Sequence, residues 1–84
     1  MAKVEMTKGA ARDFAKLPVA VQARLTTALA RLRSWPQVSG VKSLSGNLRG
    51  WYRLRVGDYR MRFFVDGDYV VVDKISHRKD IYEN

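Results

Sequence analysis

The feature of this 84-residue sequence that most constrains its fold is the stretch of residues 51–64, whose alternating apolar and charged residues predict a β-hairpin. Alternate side chains of a strand point to the same face. A two-residue turn at Gly57-Asp58 pairs the strands in one way: Val56 faces Tyr59, Arg55 faces Arg60, Leu54 faces Met61, and Arg53 faces Arg62. The hairpin therefore has one apolar face and one face with four arginines.

The arginine face is electrostatically unfavourable by itself, because like charges directly opposite each other destabilise a sheet. We therefore interpret it as a site that holds an anion. The net charge is +8, from 16 Lys and Arg against 8 Asp and Glu, and arginine outnumbers lysine ten to six. Residues 42–62 carry +5 of this charge. Because the arginine fork binds a phosphate with two hydrogen bonds, nucleic acid is the expected partner.

Length and composition exclude several other classes of protein. A chain of 84 residues builds one domain, residues 1–84, and 46% hydrophobic residues indicate a folded one. There is no cysteine and a single histidine, His77, so neither a disulfide nor a metal or cofactor site is expected. No apolar run approaches the roughly 20 residues that span a bilayer, and no signal segment is evident. We expect a cytoplasmic protein.

The remaining pattern predicts an α+β fold with two helices on one face of a sheet. Residues 3–6 alternate as a short strand, and Thr7 is suited to cap a first helix. Pro18 is suited to the first turn of a second helix, whose apolar stripe is Val21, Leu25, Ala28, Leu29 and Leu32. Arg24, Arg31 and Arg33 lie off the stripe and are interpreted as a solvated face. Trp35-Pro36 ends this helix, and residues 37–50 form a turn-rich connection of a length typical of functional loops.

A second hairpin turn is predicted at Asp66-Gly67, which completes a three-stranded antiparallel meander. This register places Phe64 opposite Tyr69, Arg62 opposite Val71, and Arg60 opposite Asp73. Asp73 is then expected to orient the guanidinium of Arg60, or to form an ordinary cross-strand ion pair. Tyr52, Tyr59 and Phe63 are expected in the core, whereas Trp51, Phe64 and Tyr69 lie on the arginine side.

Three segments together resemble the RelE/ParE superfamily of toxins from toxin–antitoxin systems. They are Leu44-x-Gly46 in the connection, Tyr52 to Arg60 in the hairpin, and His77-Arg78-Lys79-Asp80-Ile81-Tyr82 at the end. Toxins of the RelE branch are metal-independent ribonucleases that cut messenger RNA in the ribosomal A site and are held inactive by an antitoxin. The resemblance implies these partners, mRNA with ribosomal RNA and a cognate antitoxin, for this chain.

The resemblance also implies roles for individual residues. The catalytic cations are Arg53, Arg55, Arg60 and Arg78, with Tyr82 against a base, and Arg60 is the expected main clamp on the scissile phosphate. Lys42, Arg49, Arg62 and Lys79 are expected to bind RNA through their positive charge, and Arg62 has no role matched by the resemblance. In such a reaction the 2′-hydroxyl attacks the adjacent phosphorus, which requires proton transfer and stabilisation of phosphoryl charge.

One departure from RelE concerns the general base. RelE has lysines where this chain has Arg53 and Arg55, and an arginine, whose pKa lies far above neutrality, does not lose its proton. His77 is the candidate replacement and Tyr82 a second one. The alternative is that His77 is a structural hydrogen-bonding residue.

Two other functions fit the same residues. A ParE-type toxin inhibits DNA gyrase without catalysis, and a basic RNA-binding module uses the arginine face only as a phosphate track. The combination of Arg53, Arg55, Arg60, Arg78 and Tyr82 favours the ribonuclease.

Overall fold

Two helices pack on one face of a five-stranded sheet in the computed structural model, which describes residues 1–80. The elements are β1 (Lys3–Met6), α1 (Lys8–Ala15), α2 (Val19–Arg31), β2 (Val41–Ser43), β3 (Trp51–Val56), β4 (Tyr59–Asp66) and β5 (Tyr69–His77). Short 3₁₀ turns follow at Leu32–Ser34, Gly46–Leu48 and Arg78–Asp80. The predicted α+β class is confirmed. None of the helices in residues 1–80 is long and apolar enough to cross a membrane.

The helices begin where their capping residues predict. The backbone N–H of Ala10 donates to Oγ1 of Thr7 at 3.2 Å, which satisfies one of the free N–H groups at the start of α1. Pro18 was predicted in the first turn of α2, but it lies one position before the helix, as its capping residue. The carbonyl of Pro18 accepts the N–H of Gln22 at 3.0 Å. Leu25 and Ala28 of the predicted stripe are buried.

The strand order is β1-β5-β4-β3-β2, with β1 parallel to β5 and the other neighbours antiparallel. All four predicted pairs of the first hairpin are present. The connection of residues 37–50 was predicted without a strand, but it contributes β2, which pairs with β3 and places Lys42 opposite Arg53. A three-residue strand among glycines has too little alternation to be recognised locally.

The predicted register of the second hairpin is wrong. The turn is Gly67-Asp68, with Gly67 at φ +59°, so Asp66 pairs with Tyr69 and Phe64 with Val71. A β-bulge then shifts the register between Arg62 and Phe63. As a result Arg60 lies opposite Ser76, and Arg62 lies opposite Lys74.

The core lies between the sheet and the helices. Its largest fully buried side chains are Phe63, Leu25, Leu32, Leu54, Met61, Val70 and Val72. Tyr52 and Tyr59 are partly buried against this core, as predicted. The apolar face of the first hairpin is therefore anchored by the helices, which leaves its arginine face on the other side of the sheet.

Candidate active site

A row of four cations crosses four adjacent strands of the sheet. Register places Lys42 of β2, Arg53 of β3, Arg62 of β4 and Lys74 of β5 side by side. Neighbouring strands lie about 4.8 Å apart, so the row spans roughly 15 Å. Arg55 and Arg60 form a second row next to it, with Ser76 as the β5 member. Repulsion between so many aligned like charges destabilises the folded protein, which indicates that the charges serve to bind an anionic ligand.

Arg62 is held in place by Asp73. Its Nε donates to Oδ1 of Asp73 at 2.9 Å and its Nη2 donates to Oδ2 at 2.7 Å. The guanidinium also lies 4.9 Å from the centre of the Trp51 ring. The hydrogen bond to Asp73 raises the pKa of Arg62, with the negative charge of Asp73 adding to this and burial opposing it. Arg62 is therefore a fixed, permanently charged group on the arginine face.

The prediction that Asp73 orients Arg60 is consequently wrong, and the bulge is the reason. Asp73 is the extra residue of β5, so the carboxylate moves out of register with Arg60 and meets Arg62. Helix α1 contacts the bulged segment at two points. Oγ1 of Thr7 donates to the carbonyl of Asp73 at 3.3 Å, and Asp13 Oδ2 accepts the N–H of Ile75 at 3.1 Å.

Arg60 lies in the centre of the face, between Arg55 on β3 and Ser76 on β5. Its side chain is half-buried, and its Nε atom is buried. Arg55 is exposed and donates from Nε to the carbonyl of Gly57 at 3.2 Å. Arg53 is half-buried and pairs with Arg62 across the hairpin. The structure thus brings together Arg53, Arg55, Arg60 and Arg62, as predicted.

His77 lies on the opposite face of the sheet. Register pairs it with Tyr59, whose ring meets the imidazole edge-on at 5.1 Å, and Nδ1 of His77 accepts the N–H of Lys79 at 3.1 Å. Tyr59 belongs to the side that packs on the helices. The predicted base and the predicted phosphate clamp, Arg60, are therefore on different faces, and the hydrogen-bonding alternative agrees with the observed contact.

The remaining predicted residues are spread around the sheet. Arg78 is exposed at the first hairpin turn. Its side-chain Nε lies 3.7 Å from Oδ1 of Asp58, and its backbone N–H donates to the Asp58 carbonyl at 2.7 Å. Lys42, Arg49 and Lys79 are exposed. Tyr82 lies outside the described residues. Within residues 1–80 no three His, Asp or Glu side chains gather in a group that could hold a metal ion.

The chain matches a family model over almost its whole length. The model, described as the ParE toxin of type II toxin–antitoxin systems, aligns with residues 4–82. This chain belongs to the ParE toxin family. The predicted membership of the RelE/ParE superfamily is confirmed.

Individual relatives of this ParE-family toxin carry RelE names. Toxin RelG of Mycobacterium tuberculosis is 35% identical, covering 94% of this chain and 93% of the relative. Toxin RelE3 of Methanocaldococcus jannaschii is 27% identical, covering 96% of each. Among solved structures, the toxin–antitoxin complex RelBE2 of Mycobacterium tuberculosis superimposes with a TM-score of 0.81 at 29% identity, covering 92% of this chain and 98% of that one.

Sequence reasoning missed the supporting residues of this toxin's arginine face, although one signal was present. Along β5 the buried residues are Val70, Val72 and then Ile75, so the alternation changes phase between 72 and 75. Such a change of phase is typical of a bulge. The contacts from Thr7 and Asp13 have no local signal, because both residues lie more than 60 positions away along the chain.

The Arg62–Asp73 pair predicts a distinct phenotype for Asp73→Asn. The change removes a charge-assisted bidentate contact, so we expect a loss of about 1–2 kcal/mol in unfolding free energy. Any activity that depends on the position of Arg62 should fall about tenfold.

Urea unfolding measures the loss of stability in Asp73→Asn. Asp58→Asn is the matched control, because its contact with Arg78 is exposed and long, and should stay within about 0.5 kcal/mol of the wild type. Equal losses in the two variants would contradict a special role for Asp73.

Proposed function

We propose that this ParE-family toxin is a ribosome-dependent mRNA endonuclease. The observation that carries the proposal is the pair of cation rows on the sheet, in which Asp73 fixes Arg62 beside Arg53 and Arg60. The RelE names of its relatives support the same activity. A face of this kind suits a single RNA strand whose backbone crosses the strands of the sheet.

In the proposed reaction the 2′-hydroxyl of one nucleotide attacks the neighbouring phosphorus and displaces the 5′-oxygen of the next nucleotide, which leaves a 2′,3′-cyclic phosphate. Water takes the proton of the 2′-hydroxyl and supplies one to the departing 5′-oxygen. Arg60 binds the non-bridging oxygens of the scissile phosphate and stabilises the charge that accumulates on them. Arg62 is oriented by its two hydrogen bonds to Asp73 and offers the adjacent backbone a positioned positive charge. Arg53 and Arg55 complete the positive field on the β3 side.

Proton transfer takes a smaller part in this proposal than charge stabilisation. His77 lies on the helix-packed face, so we do not assign it as the base that activates the 2′-hydroxyl. Arginines remain protonated and stabilise the transition state without exchanging a proton. Tyr82 and Arg78 keep their predicted roles, the first against a base and the second as one of the catalytic cations.

The deciding experiment uses ribosomes programmed with a defined codon in the A site and maps the ends of the mRNA by primer extension. Cleavage within that codon that requires the ribosome supports the proposal, and uncut mRNA overturns it. A parallel assay of gyrase supercoiling tests the alternative named by the family description, a ParE-type toxin. Inhibition of gyrase with intact mRNA would establish that alternative, and RNA binding without either effect would leave a plain RNA-binding module.

We also propose a cognate antitoxin as the partner of the arginine face. Solved structures similar to this chain include a RelB–RelE complex from Methanococcus jannaschii, at 26% identity and a TM-score of 0.77. An acidic or amphipathic antitoxin segment that covers Arg60 and Arg62 would exclude RNA from the face by charge pairing. Adding such an antitoxin to the ribosome assay should abolish cleavage.

A further inference from the structure

A second group of arginines, which shares Arg55 with the arginine face, lies in a cleft between α2 and the first hairpin turn. The cleft has a volume of about 390 Å³ and is lined by Arg24, Thr27, Ala28, Arg31, Arg55, Val56 and Gly57. Three of these seven residues are arginines, and none is acidic. Arg24 and Arg31 were predicted to be a solvated helix face, and although both are exposed, they converge here with Arg55 from the sheet.

Two of the three guanidinium groups donate hydrogen bonds to backbone carbonyls. Arg31 donates from Nη2 to the carbonyl of Ser39 at 2.7 Å, and Arg55 donates from Nε to the carbonyl of Gly57 at 3.2 Å. The guanidinium of Arg24 lies directly over Gly57, where an added Cβ would come within 2.9 Å of its nitrogens. Gly57 has φ +59°, a left-handed backbone conformation that favours glycine. Two of the cleft's three charges are therefore held by backbone carbonyls, and the third lies against the hairpin turn.

We propose that this cleft binds a phosphate group of RNA outside the cleavage site. A tetrahedral phosphate accepts hydrogen bonds from several directions at once, whereas a carboxylate is planar and accepts them mainly within its plane. Donors that converge from a helix and a hairpin therefore suit a phosphate. Arg55 is the register partner of Arg60, which makes the cleft continuous with the arginine face.

The proposal rests on the proposed function only in naming RNA as the source of the phosphate. A folded RNA segment held in the cleft would position the toxin while a separate strand occupies the arginine face. The cleft then contributes to affinity and orientation, and the reacting phosphate does not enter it.

The test compares two double variants of the full chain that lose the same charge. Arg24→Gln with Arg31→Gln alters the cleft, whereas Arg12→Gln with Arg33→Gln removes two exposed arginines elsewhere on the helical side. Binding of a short RNA duplex is measured by fluorescence anisotropy at several salt concentrations. We expect the cleft variant to bind about tenfold more weakly, with the slope of log K against log salt reduced by about 1, and the control to change less than about twofold. Equal weakening in both variants, or no weakening in the cleft variant, overturns the proposal.

Two further arms distinguish the source of the anion and separate this proposal from the preceding one. Titration with inorganic phosphate, followed by the NMR signals of the arginine Nε–H groups, should shift Arg24 and Arg31 in the wild type. An oligoglutamate peptide that binds as tightly as RNA, and loses affinity equally in the cleft variant, would overturn the phosphate assignment. If phosphate shifts the signals of Arg24 and Arg31 but the mRNA on ribosomes stays uncut, the phosphate site in the cleft is supported and the nuclease proposal is rejected. If the mRNA is cut but the signals do not shift, the nuclease proposal is supported and the phosphate site is rejected.

Discussion

Replacing Arg60 with alanine is expected to slow mRNA cleavage on programmed ribosomes by about 10²–10³-fold, the usual effect of removing one preorganised donor to transition-state charge. Arg60 is the central cation of the arginine face, flanked by Arg55 and Ser76. Single-turnover cleavage with saturating toxin measures the rate of the chemical step without the contribution of binding.

Two comparison variants make the Arg60→Ala result specific. Arg33→Ala removes the same charge from an exposed position on the helical side, and it should cleave at the wild-type rate. Arg60→Lys retains the charge but not the planar fork, so it should recover only part of the loss. If Arg60→Ala cleaves as fast as Arg33→Ala, Arg60 is not the clamp. Urea unfolding of each variant checks that the differences in rate do not reflect loss of folded protein.

The largest expected effect on stability comes from Phe63→Ala, which should lower the free energy of unfolding by about 3–5 kcal/mol. Phe63 is fully buried, stacks with Tyr52 at 5.4 Å and meets Trp35 edge-on at 5.3 Å. Removing its ring leaves a cavity that the flanking aromatic rings cannot fill without moving. Chemical unfolding at constant pH and salt gives the value.

Phe64→Ala is the matched control for this prediction. Phe64 is the next residue of the same strand but points to the arginine face, where it is half-buried and contacts Trp51 edge-on at 4.8 Å. We expect a loss of about 1 kcal/mol. Similar losses for the two variants would mean that the core does not lie on the side of the sheet that the structure shows.

The two expected effects belong to opposite faces of one strand. Met61 and Phe63 attach β4 to the helices, and Arg60 and Arg62 present charge on the other side. Strong packing on the first face compensates for repulsion on the second, which allows cations to stand opposite each other in a folded protein. Substitutions on the arginine face are therefore expected to reduce activity more than stability, apart from those that break the Arg62–Asp73 pair.

The residues of the first hairpin could be placed from the sequence because their pairing depends on nearby positions only. Gly57-Asp58 sets the turn, and period-two alternation then assigns every side chain from Tyr52 to Phe63 to a face. The caps of the helices and the stripe on α2 are local in the same sense. From this information the hypothesis of an anion-binding face and the resemblance to the toxin superfamily both followed.

The tertiary structure decided the contacts between distant parts of the chain. The bulge in β5 is supported by α1, and it transfers Asp73 from Arg60 to Arg62. The end of β5 places His77 on the helix-packed side. Because α2 approaches the first hairpin turn, the exposed side chains of Arg24 and Arg31 form one wall of a cleft. In the first hairpin, sequence alone determined which side chains share a strand face, because that depends on a two-residue period. Which cation meets which carboxylate depends on a one-residue shift set by packing more than 60 positions away, and only the folded chain contains that information.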